Sequence, residues 1–284
     1  MSRAVLVHLS DLHFGSVAEL DALEDALTFI VAIRPDAIAV SGDLTLRARH
    51  GEFTAARLYL DRLADTAPVL AVPGNHDVQW WQSPLSLFGT RRMYAKYRRW
   101  FGPDLTPVLN IPGATIAGAL TANGIALGSI SRNPNDLAVK GNLPPSETRR
   151  LSKIFQDAPP GDYRVVVLHH NVLAGDLSAR MGLAYWRSAA VRLVNTGADL
   201  VLCGHDHEEG AGLLNNKVVV STANTLSTRT RGKRPCSFNV IRLEPDRIEI
   251  EFQVWDTRAR RFNSTERHAF ARPEHQPARA AALG

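Results

Sequence analysis

Ala4-Val5-Leu6-Val7-His8-Leu9-Ser10-Asp11-Leu12-His13 opens with an apolar run and stops in a carboxylate and an imidazole one residue apart. The pattern recurs. Ala37-Ile38-Ala39-Val40 runs into Ser41-Gly42-Asp43, and Val69-Leu70-Ala71-Val72 into Pro73-Gly74-Asn75-His76-Asp77. Val165-Val166-Val167-Leu168 runs into His169-His170, and Leu200-Val201-Leu202 into Cys203-Gly204-His205-Asp206-His207. Short apolar runs bounded by turn residues read as buried β-strands. Each cluster of polar residues therefore sits where a strand stops.

Helical patterns separate these runs. Leu20, Leu23, Leu27 and Ile30 recur at helical spacing, after Ser16 and Glu19 at the spacing of a capping box. Phe53, Ala56, Leu60 and Leu63 mark the next helix, and residues 146–155 and 183–194 two more. Residues 125–130 and 217–222 read as strands, and residues 236–243 and 247–255 as a hairpin around Glu244-Pro245-Asp246. Strand–helix alternation followed by antiparallel strands predicts an α/β core closed by a second sheet. Ligands of such sheets bind beyond the carboxyl ends of the strands, where all five clusters fall.

The 284 residues suit one large domain, taken as residues 1–256, with a basic tail over residues 257–284 that is disordered at its end. Residues 79–102 are rich in Trp, Tyr and Arg and predict a helix from about residue 90 to residue 100. Trp80, Trp81 and Trp100 read as core, in a position that also suits a substrate-facing lid. No apolar run is long enough to cross a membrane. The first apolar stretch is too short for a signal peptide, and cleavage there would remove Asp11, so a cytoplasmic protein is expected. The two cysteines, Cys203 and Cys236, form no Cys-x-x-Cys pair, which argues against a thiolate zinc site.

The net charge of +5 permits anionic substrates without requiring nucleic acid. Basic clusters occur at Arg91, Arg92, Lys96, Arg98 and Arg99, at Arg229, Arg231, Lys233 and Arg234, and at Arg258, Arg260 and Arg261. Solvated surface is the default reading for each, with phosphate contact as the alternative, most of all for the first.

Asp11 and His13, and likewise His205 and His207, would share one side of an extended segment and reach one ion. Gly42 lets the chain turn to bring Asp43 inward, and Asn75 offers an amide oxygen. Either His169 or His170 could join them, and His169 is preferred because it ends the strand. Two carboxylates, one amide and four imidazoles exceed what one zinc-like ion needs. They suit two divalent ions, of Mn, Fe or Zn, sharing Asp43, whose carboxylate has two oxygens. With a bridging hydroxide the site stays positive by about one unit, which favours a phosphate oxyanion. His76 would then stabilise charge on the phosphoryl group or protonate the leaving oxygen. His8 reads as a core histidine. Asp77 and Asp206 read equally as groups that orient ligands and as turn residues. Arg132 and Asn133 are candidate substrate contacts, together with Asn75 and His76. His50, His268 and His275 look exposed.

The strings His8-Leu9-Ser10-Asp11-Leu12-His13-Phe14-Gly15, Ser41-Gly42-Asp43, Pro73-Gly74-Asn75-His76-Asp77, Leu168-His169-His170 and Gly204-His205-Asp206-His207 resemble the calcineurin-like metallophosphoesterase superfamily. The likeness is greatest to its class III cyclic-nucleotide phosphodiesterase and glycerophosphodiesterase group. The resemblance implies a four-layer αββα sandwich with two mixed β-sheets. It implies that Asp11, His13, Asp43 and His207 bind one metal, that Asp43, Asn75, His169 and His205 bind the other, and that His76 is catalytic. Asn171-Val172-Leu173 after the His-His pair, and Leu127-Gly128-Ser129 where Leu-Asp-Ser is frequent, depart from that group's pattern. The expected function is hydrolysis of a small phosphodiester, such as a cyclic nucleotide or glycerophosphodiester, by a metal-bridging hydroxide. Phosphomonoesterase and nuclease activities are alternatives, and a metal-free interaction scaffold is a remote one. The expected partner is a small phosphate ester. No membrane is expected, nucleic acid is not favoured, and a homo-oligomer is compatible with the apolar C-terminal hairpin.

Overall fold

The computed structural model describes residues 3–78, 93–122 and 140–273. Its strands are β1 (Ala4–Leu9), β2 (Ala37–Val40), β3 (Val69–Ala71), β4 (Val108–Ile111), β5 (Ala114–Gly118) and β6 (Tyr163–His170). They continue with β7 (Leu200–Gly204), β8 (Gly210–Leu214), β9 (Val218–Thr222), β10 (Ser237–Leu243), β11 (Arg247–Asp256) and β12 (Arg261–Ala271). The helices are α1 (Leu20–Ile33), α2 (His50–Ala64), α3 (Ala95–Phe101), α4 (Pro145–Gln156) and α5 (Trp186–Val194).

One sheet has the order β12-β11-β10-β1-β2-β3 and the other β4-β5-β6-β7-β9-β8. β1, β2 and β3 run parallel in the first, and β5, β6, β7 and β9 in the second. Antiparallel strands complete both sheets, so both are mixed as expected.

Strand alternation builds the layers. In β1, Ala4 and Leu6 pack against Val165, Val167 and Leu202 of the second sheet. Val7 and Leu9 turn the other way, onto Leu23, Ile30, Phe53 and Leu60 of α1 and α2. The far face of the second sheet, through Val166, Leu168, Val201 and Val220, meets Leu151 and Phe155 of α4 and Leu193 of α5. Three cores separate four layers, αββα.

Several local expectations give way to tertiary contacts. Ser16 does not cap α1, whose N-cap is Glu19 with no side-chain hydrogen bond. The backbone around Ser16 is used elsewhere: Thr228 N donates to Val17 O at 2.9 Å, and Ala18 forms a bridge with Ser227. At α2, Glu52 serves this purpose, accepting from Arg47 N at 2.7 Å and Arg49 N at 3.2 Å. The division expected after residue 256 falls within the first sheet, because β12 pairs with β11 from Arg247↔Ala271 to Asp256↔Arg261. Its side chains are mostly polar because it is an edge strand, with Phe262 turned into the core. The strand expected over residues 125–130, Trp80, Trp81, Arg132, Asn133 and His275 lie outside the described residues. Trp100 packs half-buried against the core beside α2.

His8 links the sheets. Its Nε2 lies 2.9 Å from Ser41 Oγ and its Nδ1 3.2 Å from Ser221 Oγ of β9. Burial pushes its pKa down to about 3, against a smaller opposing pull from Asp11. The folded protein therefore refuses a proton that the unfolded chain takes up below about pH 6.5. This contribution to stability is complete above that pH and shrinks as pH falls towards 3, by about 1.4 kcal/mol per pH unit. Denaturant unfolding at pH 7 and pH 5 is expected to show His8→Gln losing roughly 2 kcal/mol less than the parent chain. Equal losses would clear His8 of this role.

Candidate metal centre

The carboxyl ends of β1, β2, β3, β6 and β7 bring the five sequence clusters to one edge of the sandwich. The backbone there is not extended, contrary to the expectation for the Asp-x-His and His-x-His pairs. Asp11, His13, Asp43, His205 and His207 have φ of 52°, 46°, 54°, 76° and 55°, in the left-handed region. Asp11 and His13 still face one point, but His205 and His207 do not share one as expected: His207 turns to Asp11 and His13, and His205 to His169. Each such residue costs on the order of 1–3 kcal/mol, sustained by surrounding hydrogen bonds. Asp11 N donates to Gly42 O at 2.9 Å, and His13 N to Asp43 O at 3.0 Å.

Gly42 has φ 97° and makes the expected turn before Asp43. Gly74 is needed for a different reason, because a Cβ there would collide with Asp43 N and Oδ1. That close approach brings the Asn75 loop against β2.

Two donor sets result. In the first, His207 Nε2 lies 3.1 Å and His13 Nε2 3.6 Å from Asp11 Oδ1, and the two imidazole nitrogens are 3.0 Å apart. In the second, His169 Nε2 lies 3.4 Å from Asp43 Oδ2, 3.0 Å from Asn75 Oδ1 and 3.2 Å from His205 Nδ1. Asp43 Oδ2 is also 3.9 Å from His13 Nε2, so it faces both sets. The expected sharing through two carboxylate oxygens is not the arrangement found. Oδ1 is occupied by His76 N at 2.8 Å, and Oδ2 alone looks into the site.

Donor spacings near 3 Å are those of ligands at about 2.1 Å around one small ion. Asp11 Oδ1 is buried without a hydrogen-bond partner, while Oδ2 accepts from Ser10 Oγ at 2.6 Å and His205 N at 2.9 Å. A buried carboxylate oxygen left bare among imidazole nitrogens fits a cation. The imidazoles are oriented from behind. His169 Nδ1 donates to Ser41 O at 2.8 Å and His207 Nδ1 to Arg229 O, which leaves each Nε2 facing inward.

Charge is arranged to match. Burial opposes ionisation of Asp11 and Asp43, but His207 beside Asp11 and His169 beside Asp43 outweigh it and hold both carboxyls below the ordinary carboxylate range. Burial would lower His169, yet Asp43 prevails and raises it to about 9. The acidic oxygens are therefore ionised.

His170 does not join the second set through the same face. Its Nδ1 lies 2.8 Å from Thr121 Oγ1, and its ring packs 4.5 Å from that of His205. Asp77 braces the loops, accepting from Leu44 N, Thr45 N and Gly74 N at 3.1, 2.8 and 3.0 Å. Burial, then the charge of Asp43, raises its pKa to about 6. Asp206 accepts from Arg231 Nη2 at 2.9 Å and from Ser178 Oγ. His76 donates from Nδ1 to Leu46 O at 2.6 Å, and its Nε2 lies 4.0 Å from Asp43 Oδ2. His50 is exposed, whereas His268 is half-buried beside Phe252.

A cleft of about 470 Å³ opens over the site. Beyond the expected residues it is lined by Lys140, Asn171, Arg180, Trp186, Arg229 and Arg231. Arg229 and Arg231 belong to a basic cluster visible in the sequence. Lys140, Arg180 and Trp186 carry no such signal, because separate loops bring them to the cleft.

Residues 4–209 match the model of the family described as calcineurin-like phosphoesterase. Phosphodiesterase YaeI of Escherichia coli is 35% identical over 72 residues, 25% of this chain and 27% of that protein. Glycerophosphodiester phosphodiesterase GpdQ of Enterobacter lignolyticus is 34% identical over 91 residues, 26% of this chain and 29% of that protein. These matches thus span under a third of either relative. The crystal structure of a dimetal phosphatase from Danio rerio superposes with a TM-score of 0.63 at 16% identity, covering 95% of this chain and 99% of that one. At that identity the likeness is one of fold.

Proposed function

Because this chain belongs to the calcineurin-like phosphoesterase family, a family of hydrolases, we propose that it is a dinuclear-metal phosphodiesterase acting on a small diester such as a cyclic nucleotide or glycerophosphodiester. The observation that carries this reading is Asp43 Oδ2, which faces both donor sets at once. Asp11, His13, Asp43 and His207 would hold one divalent ion, and Asp43, Asn75, His169 and His205 the other, of Mn, Fe or Zn. Two ions held there would supply Lewis acidity, lowering the pKa of a bound water and offering positive charge to the phosphoryl oxygens.

The protein's own groups do the rest. Ser41 O and Arg229 O fix the tautomers of His169 and His207. Asn75, beside His169, offers its amide to a phosphoryl oxygen. His76 reaches the cleft through Nε2, since Nδ1 is committed to Leu46 O. Either role assigned to it, charge stabilisation or protonation of the leaving oxygen, needs a proton on Nε2. Diester preference is supported by the two relatives named as phosphodiesterases. The buried free thiols of Cys203 and Cys236 are in keeping with a cytoplasmic setting. Among the described residues no helix is long and apolar enough to cross a membrane.

The test compares bis-(p-nitrophenyl) phosphate with p-nitrophenyl phosphate, using metal-stripped protein resupplied with Mn²⁺. Faster diester turnover, metal-dependent and lost in Asn75→Ala, is the expected result. Turnover of the monoester alone would move the assignment to a phosphatase. Failure to bind any metal would revive a scaffold role.

A further inference from the structure

The loop between β9 and β10 is tied to both ends of the site. Thr225 Oγ1 donates to Asp11 O at 2.5 Å, and Ser227 Oγ accepts from Arg229 N at 3.2 Å. Thr228 N donates to Val17 O at 2.9 Å. Farther along, Arg231 donates from Nε to Asp206 O at 2.8 Å and from Nη2 to its carboxylate at 2.9 Å. Two of the other three cations of the cluster are held in ion pairs. Arg231 is neutralised by Asp206, and Arg234 pairs with Glu209 at 3.3 Å.

Arg229 stands apart from both. Its carbonyl receives the Nδ1 proton of His207, and its guanidinium Nη1 lies 3.4 Å from His76 Nε2. Among the described residues no carboxylate forms an ion pair with it. The side chain is exposed and lines the cleft. A guanidinium cannot give up its proton near neutral pH. It therefore places a permanent positive charge in the cleft, within hydrogen-bond distance of His76 Nε2. A phosphoryl group complements this charge, because its non-bridging oxygens match the guanidinium fork.

Resting on the phosphoesterase reading above, we propose that Arg229 binds a phosphoryl oxygen of the substrate beside His76, making a guanidinium clamp in the cleft over the metal ligands. One residue thus serves two ends: its main chain orients His207, and its side chain receives the anion. The division matters for testing, because substitution of the side chain leaves the carbonyl in place.

The experiment is calorimetric binding of inorganic phosphate to the Mn²⁺-loaded full chain, with metal content measured alongside. Arg229→Ala is expected to keep the parent's metal content and to weaken phosphate roughly 10- to 100-fold. Arg229→Lys, which retains the charge and loses the fork, is expected to fall between them. In turnover of bis-(p-nitrophenyl) phosphate, the alanine variant should raise KM more than it lowers kcat. Phosphate affinity unchanged in Arg229→Ala would overturn the proposal, as would loss of metal from both variants, which would make the residue a support of His207 alone. Phosphate binding is read without turnover. A parent chain that binds phosphate but hydrolyses no diester would therefore sink the phosphodiesterase reading and leave the clamp standing.

Discussion

Asp43→Asn is expected to lower diester turnover on the order of 10³-fold or more and to reduce the metal content of the purified protein. The variant removes the charge and changes little else. Asparagine tolerates the left-handed backbone at this position, where φ is 54°. Its amide oxygen can still accept from His76 N, which now donates to Oδ1 at 2.8 Å. What it lacks is the anionic Oδ2 that faces both donor sets. Even groups that merely orient a ligand are worth about 10- to 100-fold, so the shared carboxylate should exceed that. Metal analysis and steady-state kinetics on the same preparation check it. Full metal content with kcat within tenfold of the parent would show that Asp43 is not the shared ligand.

The second large effect is expected at His76. His76→Ala should lower kcat by about 10²- to 10³-fold while the metal content holds, since His76 Nε2 lies 4.0 Å from Asp43 Oδ2 and its ring is partly exposed to the cleft. The size of the defect should depend on the leaving group. A nitrophenolate departs without a proton, whereas an alkoxide such as that of glycerol needs one. A defect larger with a glycerophosphodiester than with bis-(p-nitrophenyl) phosphate would identify His76 as the proton donor. Equal defects would identify it as a stabiliser of phosphoryl charge. A variant with unchanged kcat on both substrates would remove it from the reaction.

The strands that carry the site were legible because burial on both faces leaves an unbroken apolar run, and each run ended in residues with no place in a core. The elements that escaped notice lack this contrast. β4 and β5 form a short hairpin interrupted by Pro112-Gly113, β8 is Gly-Ala-Gly-Leu-Leu, and β12 is an edge strand dressed in polar side chains. The donor residues themselves were also legible, but not the backbone that presents them. An Asp-x-His pair on a strand and one on a bend look alike in sequence, and only the hydrogen bonds between neighbouring loops distinguish them. The walls of the cleft were least legible, because Lys140, Arg180 and Trp186 meet only through the tertiary fold.

The left-handed conformations of Asp11, His13, Asp43, His205 and His207 carry a consequence for how such a chain changes over generations. Glycine at any of these positions would relax the main chain and shed a buried ionisable group. Selection for heat resistance alone would therefore favour the loss of the donor set, one residue at a time, with the sandwich left intact. Retention of all five against that pressure requires a benefit from the chemistry itself. In a library sorted first for thermal tolerance and then for turnover, these five positions are where the two sorts would pull in opposite directions.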